Sequence, residues 1–177
     1  MLFKADRRRA AQSLDVGRPR LAMTGPALTE TELGDLVKST VQAWDSWRDM
    51  VRFSHDERWF GRLAVSADYE IWVLTWLRGQ RTGFHDHGGA VGAFGVALGE
   101  LRESVVARGR ARVRYRMASG HMVRTFDGQH VHDIANVSSA PAISVHAYSP
   151  PLSAMRRYEM TTAGLVLART DVARVDW

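Results

Sequence analysis

The spacing of apolar positions changes near residue 56, and the change predicts a helical segment followed by a β-rich region. Before it, apolar residues recur at the three- and four-residue spacing of an amphipathic helix, at Leu33, Leu36, Val37, Val41, Trp44 and Val51. Thr29 followed by Glu32 matches the capping box that starts many helices. We predict a helix from about residue 30 to about residue 47, breaking before Phe53, with its apolar stripe in the core.

After residue 58, short apolar or alternating runs are separated by Gly, Asp and Ser. The predicted strands are 59–66, 71–77, 92–98, 101–107, 110–117, 121–126, 131–136 and 143–149. The segments around Gly99, Gly120 and Gly128 have the composition of hairpin-like turns. Many short strands at close spacing are typical of a sandwich or barrel, and a small barrel can hold one site inside. The predicted fold is mainly β, a small jelly-roll-like barrel with an N-terminal helical segment.

Length and composition fit one globular domain, since the chain has 177 residues of which 45% are hydrophobic. We divide it into a basic arm (1–24), a helical cap (25–55), a barrel (56–165) and a C-terminal tail (166–177). Cysteine is absent, which excludes disulfides, a thiolate metal site and a cysteine nucleophile. No apolar run could cross a bilayer, and the basic N-terminus lacks the apolar segment of a secretory signal. We therefore expect a cytoplasmic protein without a membrane partner.

Positive charge is concentrated in two arginine-rich stretches, although the formal net charge is only +5. One is the N-terminal arm, and the other covers residues 108–116, where arginine alternates with Gly, Ala, Val and Tyr. Basic stripes can bind nucleic acid, but strict alternation is typical of a strand with one solvated face. We therefore predict no nucleic-acid partner, and salt-dependent retention on DNA would test this.

Candidate metal chemistry begins with His85 and His87, which follow the apolar run 71–77. In an extended chain, side chains two positions apart point to the same face, so both imidazoles can aim at one point. A second histidine stretch contains His130 and His132, which would also share a face and compete as ligands. Without cysteine, a metal would be held by His, Asp or Glu, and imidazole is the natural candidate. An H-x-H pair alone is a weak signal for such a site.

The last predicted strand alternates in an unusual way. Ser144, His146 and Tyr148 fall on one face, and the small apolar residues Ile143, Val145 and Ala147 fall on the other. In a barrel, the apolar face would meet a layer outside the sheet and the polar face would point inward. Buried polar groups need partners, and a Ser–His–Tyr chain of hydrogen bonds would satisfy all three.

The two histidine stretches together resemble the paired motifs of the cupin superfamily. The first has the form G-x5-H-x-H-x4-(acid)-x6-G, here from Gly79 to Gly99, and the second ends in H-x3-N, here His132 and Asn136. Gly92 stands where the acidic ligand of the first motif is usual. A site with three histidines and no carboxylate resembles the cysteine dioxygenase family of thiol dioxygenases, in its bacterial type. The segment Ser144–Pro151 is similar to that family's S-x-H-x-Y-S-P-P signature, and the resemblance covers about residues 56–155.

The resemblance implies a role for each matching residue. The implied metal is one Fe(II) per chain, held by His85, His87 and His132. The implied catalytic residues are Tyr148, His146 and Ser144, and Tyr148 would carry no thioether link because the chain has no cysteine. The implied substrate-binding residues are Arg62 for the carboxylate, Phe60 where the family has a tyrosine, and Leu74 and Trp76 as pocket lining.

The function implied by the resemblance is oxidation of a small thiol by O2. The first expectation is conversion of L-cysteine to cysteine sulfinic acid. An alternative is a dioxygenase for another small thiol carboxylate, such as 3-mercaptopropionate or a mercapto-diacid, and another is a non-catalytic cupin that binds a small molecule. The expected partners are the thiol and O2, and we expect a monomer.

Overall fold

A computed structural model describes residues 27–106 and 112–173, and it contains one helix and two antiparallel sheets. The helix α1 covers Glu30–Gln42, and two short 3-10 turns follow at Trp44–Ser46 and Arg48–Met50. The capping box is confirmed, because Glu32 N donates to Thr29 Oγ1 at 3.3 Å and Thr29 N donates to Glu32 Oε2 at 2.8 Å. The helix ends before the predicted residue 47, since the chain folds back there and Trp47 Nε1 donates to Thr40 O at 2.8 Å.

Eleven strands follow the helix among the described residues. In chain order they are β1 (Phe60–Val65), β2 (Glu70–Trp76), β3 (Phe84–His85), β4 (Val91–Leu98), β5 (Glu100–Val106), β6 (Val113–Ser119), β7 (Val123–Phe126), β8 (His132–Ala135), β9 (Ala142–Ser149), β10 (Ala154–Thr161) and β11 (Gly164–Val172). The five-stranded sheet has the order β1-β2-β9-β4-β7, and the six-stranded sheet has the order β11-β10-β3-β8-β5-β6. The predicted mainly β fold with an N-terminal helical segment is therefore confirmed.

The turns predicted as hairpin-like do something different, because each carries the chain from one sheet to the other. Gly99 lies between β4 and β5, Gly120 between β6 and β7, and Gly128 between β7 and β8. Gly99 has a φ of +72°, and a Cβ there would lie 2.5 Å from the carbonyl oxygen of Pro141. Glycine adopts this positive φ without strain and has no Cβ to clash with the carbonyl oxygen. These three passages connect the two sheets.

The helix covers the outer face of the five-stranded sheet. Its buried residues Leu33, Val37 and Val41 join one apolar cluster with Ile143, Val145 and Ala147 of β9, as the alternation predicts. Gly95 on β4 lets the helix approach, since a Cβ there would lie 2.9 Å from Val37 Cγ1. A second cluster fills the space between the sheets and includes Trp76, Phe94, Leu101, Phe126, Ile134 and Tyr148. The other face of β9 thus points into the barrel.

Three strands are absent from the sequence prediction. They are β3, β10 and β11. Residues 166–172, assigned above to a C-terminal tail, lie in β11 and pair with β10. The predicted strand start at His121 is wrong, because this residue has a φ of +66° and lies in the turn before β7. The basic arm 1–24 and positions 107, 110 and 111 of the predicted strands lie outside the described residues.

Candidate metal centre and pocket

Three buried histidines meet between the sheets. His85 comes from β3, His132 lies opposite it on β8, and His87 follows β3 by two residues. Their ring centroids are 4.9 Å apart for His85 and His87, 4.8 Å for His85 and His132, and 5.1 Å for His87 and His132. One nitrogen of each ring lies within 4.8 Å of the others, so the three side chains could hold a metal ion.

Hydrogen bonds orient two of the three rings. His85 Nδ1 donates to the carbonyl oxygen of Gly83 at 3.0 Å, and His132 Nδ1 donates to Glu103 Oε1 at 3.0 Å. A neutral ring that donates through Nδ1 keeps Nε2 as an acceptor or ligand. Neither ring nitrogen of His87 has a hydrogen-bond partner within the described ranges, although the side chain is buried. Buried polar atoms without partners are unusual, and a metal ion would satisfy His87.

The histidines are uncharged, as metal ligands must be. Burial holds the pKa of His85 and His87 well below the ordinary value, and neighbouring imidazoles lower it further. Burial also lowers the pKa of His132, although the hydrogen bond to Glu103 works in the opposite direction. A triad of neutral imidazoles with no carboxylate among them is therefore the donor set at this point.

Glu103 on β5 is a residue of the candidate site that the sequence prediction missed. It is buried and accepts hydrogen bonds from His132 Nδ1 and His130 Nε2, both at 3.0 Å, and Arg124 Nε lies 3.6 Å from its other oxygen. Burial alone would raise the pKa of Glu103, but the two histidines outweigh it and lower the pKa to about 2. The signal was present in the sequence, since Glu103 shares a strand face with the fully buried Leu101.

His130 is the competing ligand that the sequence left open. Glu103, His130 and His132 form a second group whose ligand atoms also lie within 4.8 Å of one another. His130 Nε2 is already engaged with Glu103, whereas both nitrogens of His87 lack partners among the described residues. This difference favours His87 over His130 as the third ligand.

Gly92 explains why no acidic residue joins the triad. It lies opposite Phe126 on β7 and opposite Tyr148 on β9. A Cβ at Gly92 would lie 2.2 Å from Phe126 Cε2, so the phenyl ring fills the place of a larger side chain. The same ring stacks on His87 with a centroid distance of 4.9 Å and an interplanar angle of 26°.

The loop that carries His87 is fixed by the residue between the two histidines. Asp86 is fully buried and accepts hydrogen bonds from Tyr158 Oη at 2.7 Å and Gly88 N at 3.0 Å. Its carboxylate also lies 2.8 Å from Arg156 Nε. Asp86 therefore anchors the H-x-H segment to β10 while the two imidazoles point the other way.

The polar row on β9 forms a hydrogen-bonded chain beside the triad. Ser144 Oγ lies 2.8 Å from His146 Nε2, and Tyr148 Oη lies 3.4 Å from His146 Nδ1. Trp76 Nε1 extends the chain by donating to Ser144 Oγ at 2.8 Å, and Asn136 Nδ2 donates to Trp76 O at 3.0 Å. Trp76 is thus a fully buried core residue and also a member of this chain of hydrogen bonds.

Tyr148 connects the chain to the metal-side residues. Its ring centroid lies 4.8 Å from that of His87. Burial raises the pKa of Tyr148, so the phenol stays protonated. Burial, followed by the neighbouring His132, lowers the pKa of His146 to about 3, so its imidazole is neutral.

The predicted substrate-binding residues on β1 and β2 share the inner face with this chain. Strand register places Phe60 opposite Leu74 and Arg62 opposite Trp72, and Leu74 lies opposite Ser144 of β9. Arg62 Cζ lies 5.3 Å from the Trp72 ring centroid. Phe60 is 36% exposed at the rim. The substrate roles of these residues stay predictions.

Arg58, just before β1, is a second residue that the sequence prediction missed. Its Cζ lies 4.5 Å from the Trp76 ring centroid. Burial, followed by the charge of Arg157, lowers the pKa of Arg58 to about 10, so the guanidinium remains a cation at neutral pH. The sequence carried no periodic signal for it, because the segment before β1 has no regular structure.

The fold and the donor set define a class, a cupin-type barrel with three histidines that could bind a metal. The model of the family "Cysteine dioxygenase type I" matches residues 27–161, which is more than half of the chain. The chain belongs to this family, and the resemblance seen in the sequence is confirmed. Family and triad together support a metal-dependent oxygenase or oxidoreductase.

Several solved structures are similar to this chain. TT1209 from Thermus thermophilus is 17% identical with a TM-score of 0.52, over 59% of this chain and 93% of that one. A protein with a double-stranded β-helix domain from Klebsiella pneumoniae is 22% identical with a TM-score of 0.49, over 69% and 93% of the two chains. An RmlC-like cupin protein from Desulfovibrio desulfuricans is 20% identical with a TM-score of 0.48, over 58% and 91%. At 17% identity the likeness to TT1209 concerns the fold alone.

Within the described ranges, no helix has the length and apolar character needed to span a membrane.

Proposed function

We propose that the protein is an Fe(II)-dependent thiol dioxygenase that oxidises L-cysteine with O2 to cysteine sulfinic acid. The observation that carries the proposal is the buried triad, in which His87 has no other hydrogen-bond partner among the described residues. Three neutral imidazoles bring no negative charge to a divalent metal. A thiolate substrate would supply that charge, and thiols lose their proton on binding a metal.

In this proposal His85, His87 and His132 hold one iron ion. Iron(II), when bound, would supply the redox chemistry that joins O2 to the thiol sulfur. Glu103 keeps the His132 ring in one tautomer by accepting from Nδ1 at 3.0 Å. Phe126 and Phe94 pack around the triad and keep water away from the histidine rings.

The carboxylate of the substrate would be bound by Arg62, whose planar guanidinium suits two parallel hydrogen bonds. Leu74 and Trp76 would form the apolar wall beside it, since both lie on the inner face of β2. Phe60 offers no hydroxyl to this pocket. The family has a tyrosine at this position, and the absence of its hydroxyl here favours a second candidate. That candidate is oxidation of another small thiol carboxylate such as 3-mercaptopropionate.

Tyr148 would act on the oxygen side of the site. Its raised pKa keeps the phenol proton in place, so Oη can donate a hydrogen bond into the pocket. His146 and Ser144 would hold the phenol in position through their hydrogen-bonded chain. A binding protein without activity has no need of this chain, and its presence beside the triad supports an enzyme.

Metal analysis combined with oxygen uptake tests the proposal. The iron-loaded protein would be given L-cysteine, 3-mercaptopropionate, mercaptosuccinate and cysteamine, with sulfinate measured by mass spectrometry. We expect uptake with L-cysteine at about one O2 per sulfinate, and none with a His87→Ala control. Higher kcat/KM for 3-mercaptopropionate would select the second candidate. An iron-loaded protein that consumes no oxygen with any thiol would be a binding cupin, and the proposed function would be wrong.

A further inference from the structure

The segment that leads into β1 is hydrogen-bonded to the end of β2 and to the loop that follows it. Thr75 Oγ1 donates to Arg52 O at 2.8 Å, and Thr75 N donates to Trp59 O at 3.0 Å. Gln80 Nε2 donates to Ser54 O at 2.8 Å. These bonds fasten residues 52–59 to the end of β2. Arg58 is therefore held by fixed backbone on both sides, and its side chain is directed over Trp76.

The Arg58 guanidinium lies against the substrate-side wall of the site. Its Cζ is 4.5 Å from the Trp76 ring centroid, and Trp76 donates to Ser144 in the Ser144–His146–Tyr148 chain. The Nε atom of Arg58 is buried and has no hydrogen-bond partner within the described parts of the chain. A buried guanidinium nitrogen without a partner is costly, and an anionic ligand would remove the cost.

Neighbouring arginines around the triad differ from Arg58 in having carboxylate partners. Nitrogen–oxygen distances are 2.6 Å for Arg81 and Asp133, 2.8 Å for Arg156 and Asp86, and 2.8 Å for Arg157 and Asp171. No ion pair joins Arg58 to an acidic residue in residues 27–106 or 112–173. Buried charges are normally paired, so the Arg58 guanidinium, which has no ion-pair partner in the described ranges, is a candidate to bind an anion.

The charge of Arg58 reaches both halves of the site. Burial is the main reason for the lowered pKa of His85 and of His146, and the positive charge of Arg58 lowers both further. The same charge opposes the burial that raises the pKa of Tyr148. Burial raises the pKa of Glu70 on the inner face, and the charge of Arg62 is one of the smaller effects that oppose this rise. The charge of Asp133 opposes the burial that lowers the pKa of Arg58, but this carboxylate is ion-paired with Arg81 at 2.6 Å and not with Arg58.

We propose, on the basis of the thiol dioxygenase function above, that Arg58 is a carboxylate-binding residue of this pocket in addition to Arg62. The substrate class is then a small thiol that carries at least one carboxylate, bound between the guanidinium over Trp76 and the triad. A thiol without a carboxylate leaves Arg58 unpaired and binds weakly.

Steady-state kinetics of Arg58→Met test the assignment. The KM for L-cysteine and for 3-mercaptopropionate should rise on the order of 10- to 100-fold, the effect of losing hydrogen bonds to a charged group. The KM for cysteamine, which has no carboxylate, should change less than twofold. Arg58→Lys keeps the charge but loses the planar guanidinium, so its KM for the two carboxylate thiols should lie between those of the parent and Arg58→Met. Arg52→Met in the same segment is the matched control, because Arg52 is exposed and bonds only to nearby carbonyls.

A binding measurement separates this inference from the proposed function. Calorimetric titration of the iron-loaded protein with propionate, and with propionamide as its neutral match, needs no turnover. Propionate should bind the parent protein at least tenfold more tightly than propionamide, and Arg58→Met should reduce this difference to the smaller preference that Arg62 supplies alone. If no thiol is oxidised but propionate binding still depends on Arg58, the proposed function fails and the anion site stands. If the parent enzyme is active and Arg58→Met and Arg58→Lys keep the parent KM values and propionate affinity, the inference is overturned.

Discussion

The two inner faces of the barrel are built from different chemistry. On the six-stranded sheet, His132 is fixed by the ionised Glu103, and the loop carrying His87 is anchored through Asp86 and Arg156. On the five-stranded sheet, the polar row from Ser144 to Tyr148 is uncharged, and its last link is long at 3.4 Å. The metal-side residues are held by charge-assisted bonds, and the polar row of β9 by neutral hydrogen bonds and ring packing.

The difference indicates separate tasks. Charge-assisted bonds are about twice as strong as neutral ones and fix a ring in one direction, which a metal site requires. A neutral chain with a loose final contact allows the Tyr148 hydroxyl to adjust to a ligand. We therefore expect changes on the six-stranded sheet to remove the metal, and changes on the five-stranded sheet to lower the rate while the metal stays.

The largest expected effect is that of His132→Ala. This change removes one of three ligands and leaves Glu103 without one of its partners, so iron and all activity should be lost. His130→Ala is the matched control, since it removes the other partner of Glu103 and should keep at least half of the iron. Elemental analysis of iron per chain tests this prediction, and circular dichroism checks that the variants are folded. Full iron in His132→Ala would instead assign the metal to a site that does not use this histidine.

Glu103→Gln should have the next largest effect. The amide keeps the size of the carboxylate but removes its charge, so the His132 ring is oriented less firmly. Loss of such an orienting partner typically weakens metal binding by about 10- to 100-fold. Competition with a chelator would measure the iron affinity. Glu100→Gln, an exposed change on the same strand, should leave it unaltered; equal affinities for both variants would show that Glu103 does not support the metal.

The contrast between the two faces was only half visible in the sequence. The period of two within β9 and within the H-x-H pair predicted which side chains share a face, because those residues are close in the chain. Glu103 reaches His132 only through the pairing of β5 with β8, across 29 positions of sequence. No local pattern encodes such a pairing. The position of Glu103 on the same strand face as the apolar Leu101 was the local sign that this glutamate is buried.

Other features depended on tertiary contacts in the same way. β3 is only two residues long and exists because β8 and β10 pair with it on either side. β10 and β11 lack a clear alternation of apolar residues, and both are largely exposed or half-buried along their length. Arg58 lies in an irregular segment whose position is set by its bonds to Thr75 and Gln80. Local propensity decides none of these placements.

Tyr148→Phe probes the five-stranded sheet with a smaller effect. It deletes the hydroxyl and keeps the ring packed on His87, so iron binding should not change. If Oη acts mainly in the transition state, kcat should fall on the order of tenfold while KM changes less. More oxygen should be consumed per sulfinate formed. Tyr115→Phe, at an exposed position, is the control. Unchanged kcat with full coupling would leave Tyr148 as a structural partner of His146.

His146→Gln should have the smallest effect on rate, because it only loosens the phenol through a 3.4 Å contact. We expect kcat to fall less than in Tyr148→Phe. Burial lowers the pKa of His146 from 6.5 to about 3, so the ring is neutral between pH 5 and pH 9 and the variant should keep the pH profile of the parent enzyme. If the fall in activity at low pH is present in the parent enzyme and absent in His146→Gln, the His146 ring is charged during the reaction.

The same pKa shift predicts a stability effect of known sign. Because the folded-state pKa of His146 lies below the unfolded value of 6.5, acidification protonates the unfolded chain first and stability falls as the pH drops below about 6.5. One such histidine costs about 1.4 kcal/mol at pH 5.5 relative to pH 7.5. Urea unfolding of the metal-free parent should therefore show that the free energy of unfolding falls between pH 7.5 and pH 5.5. In His146→Gln this fall should be smaller by about 1.4 kcal/mol. An equal loss in both proteins would mean that His146 is protonated in the folded state, and the neutral character assigned to the polar row of β9 would be wrong.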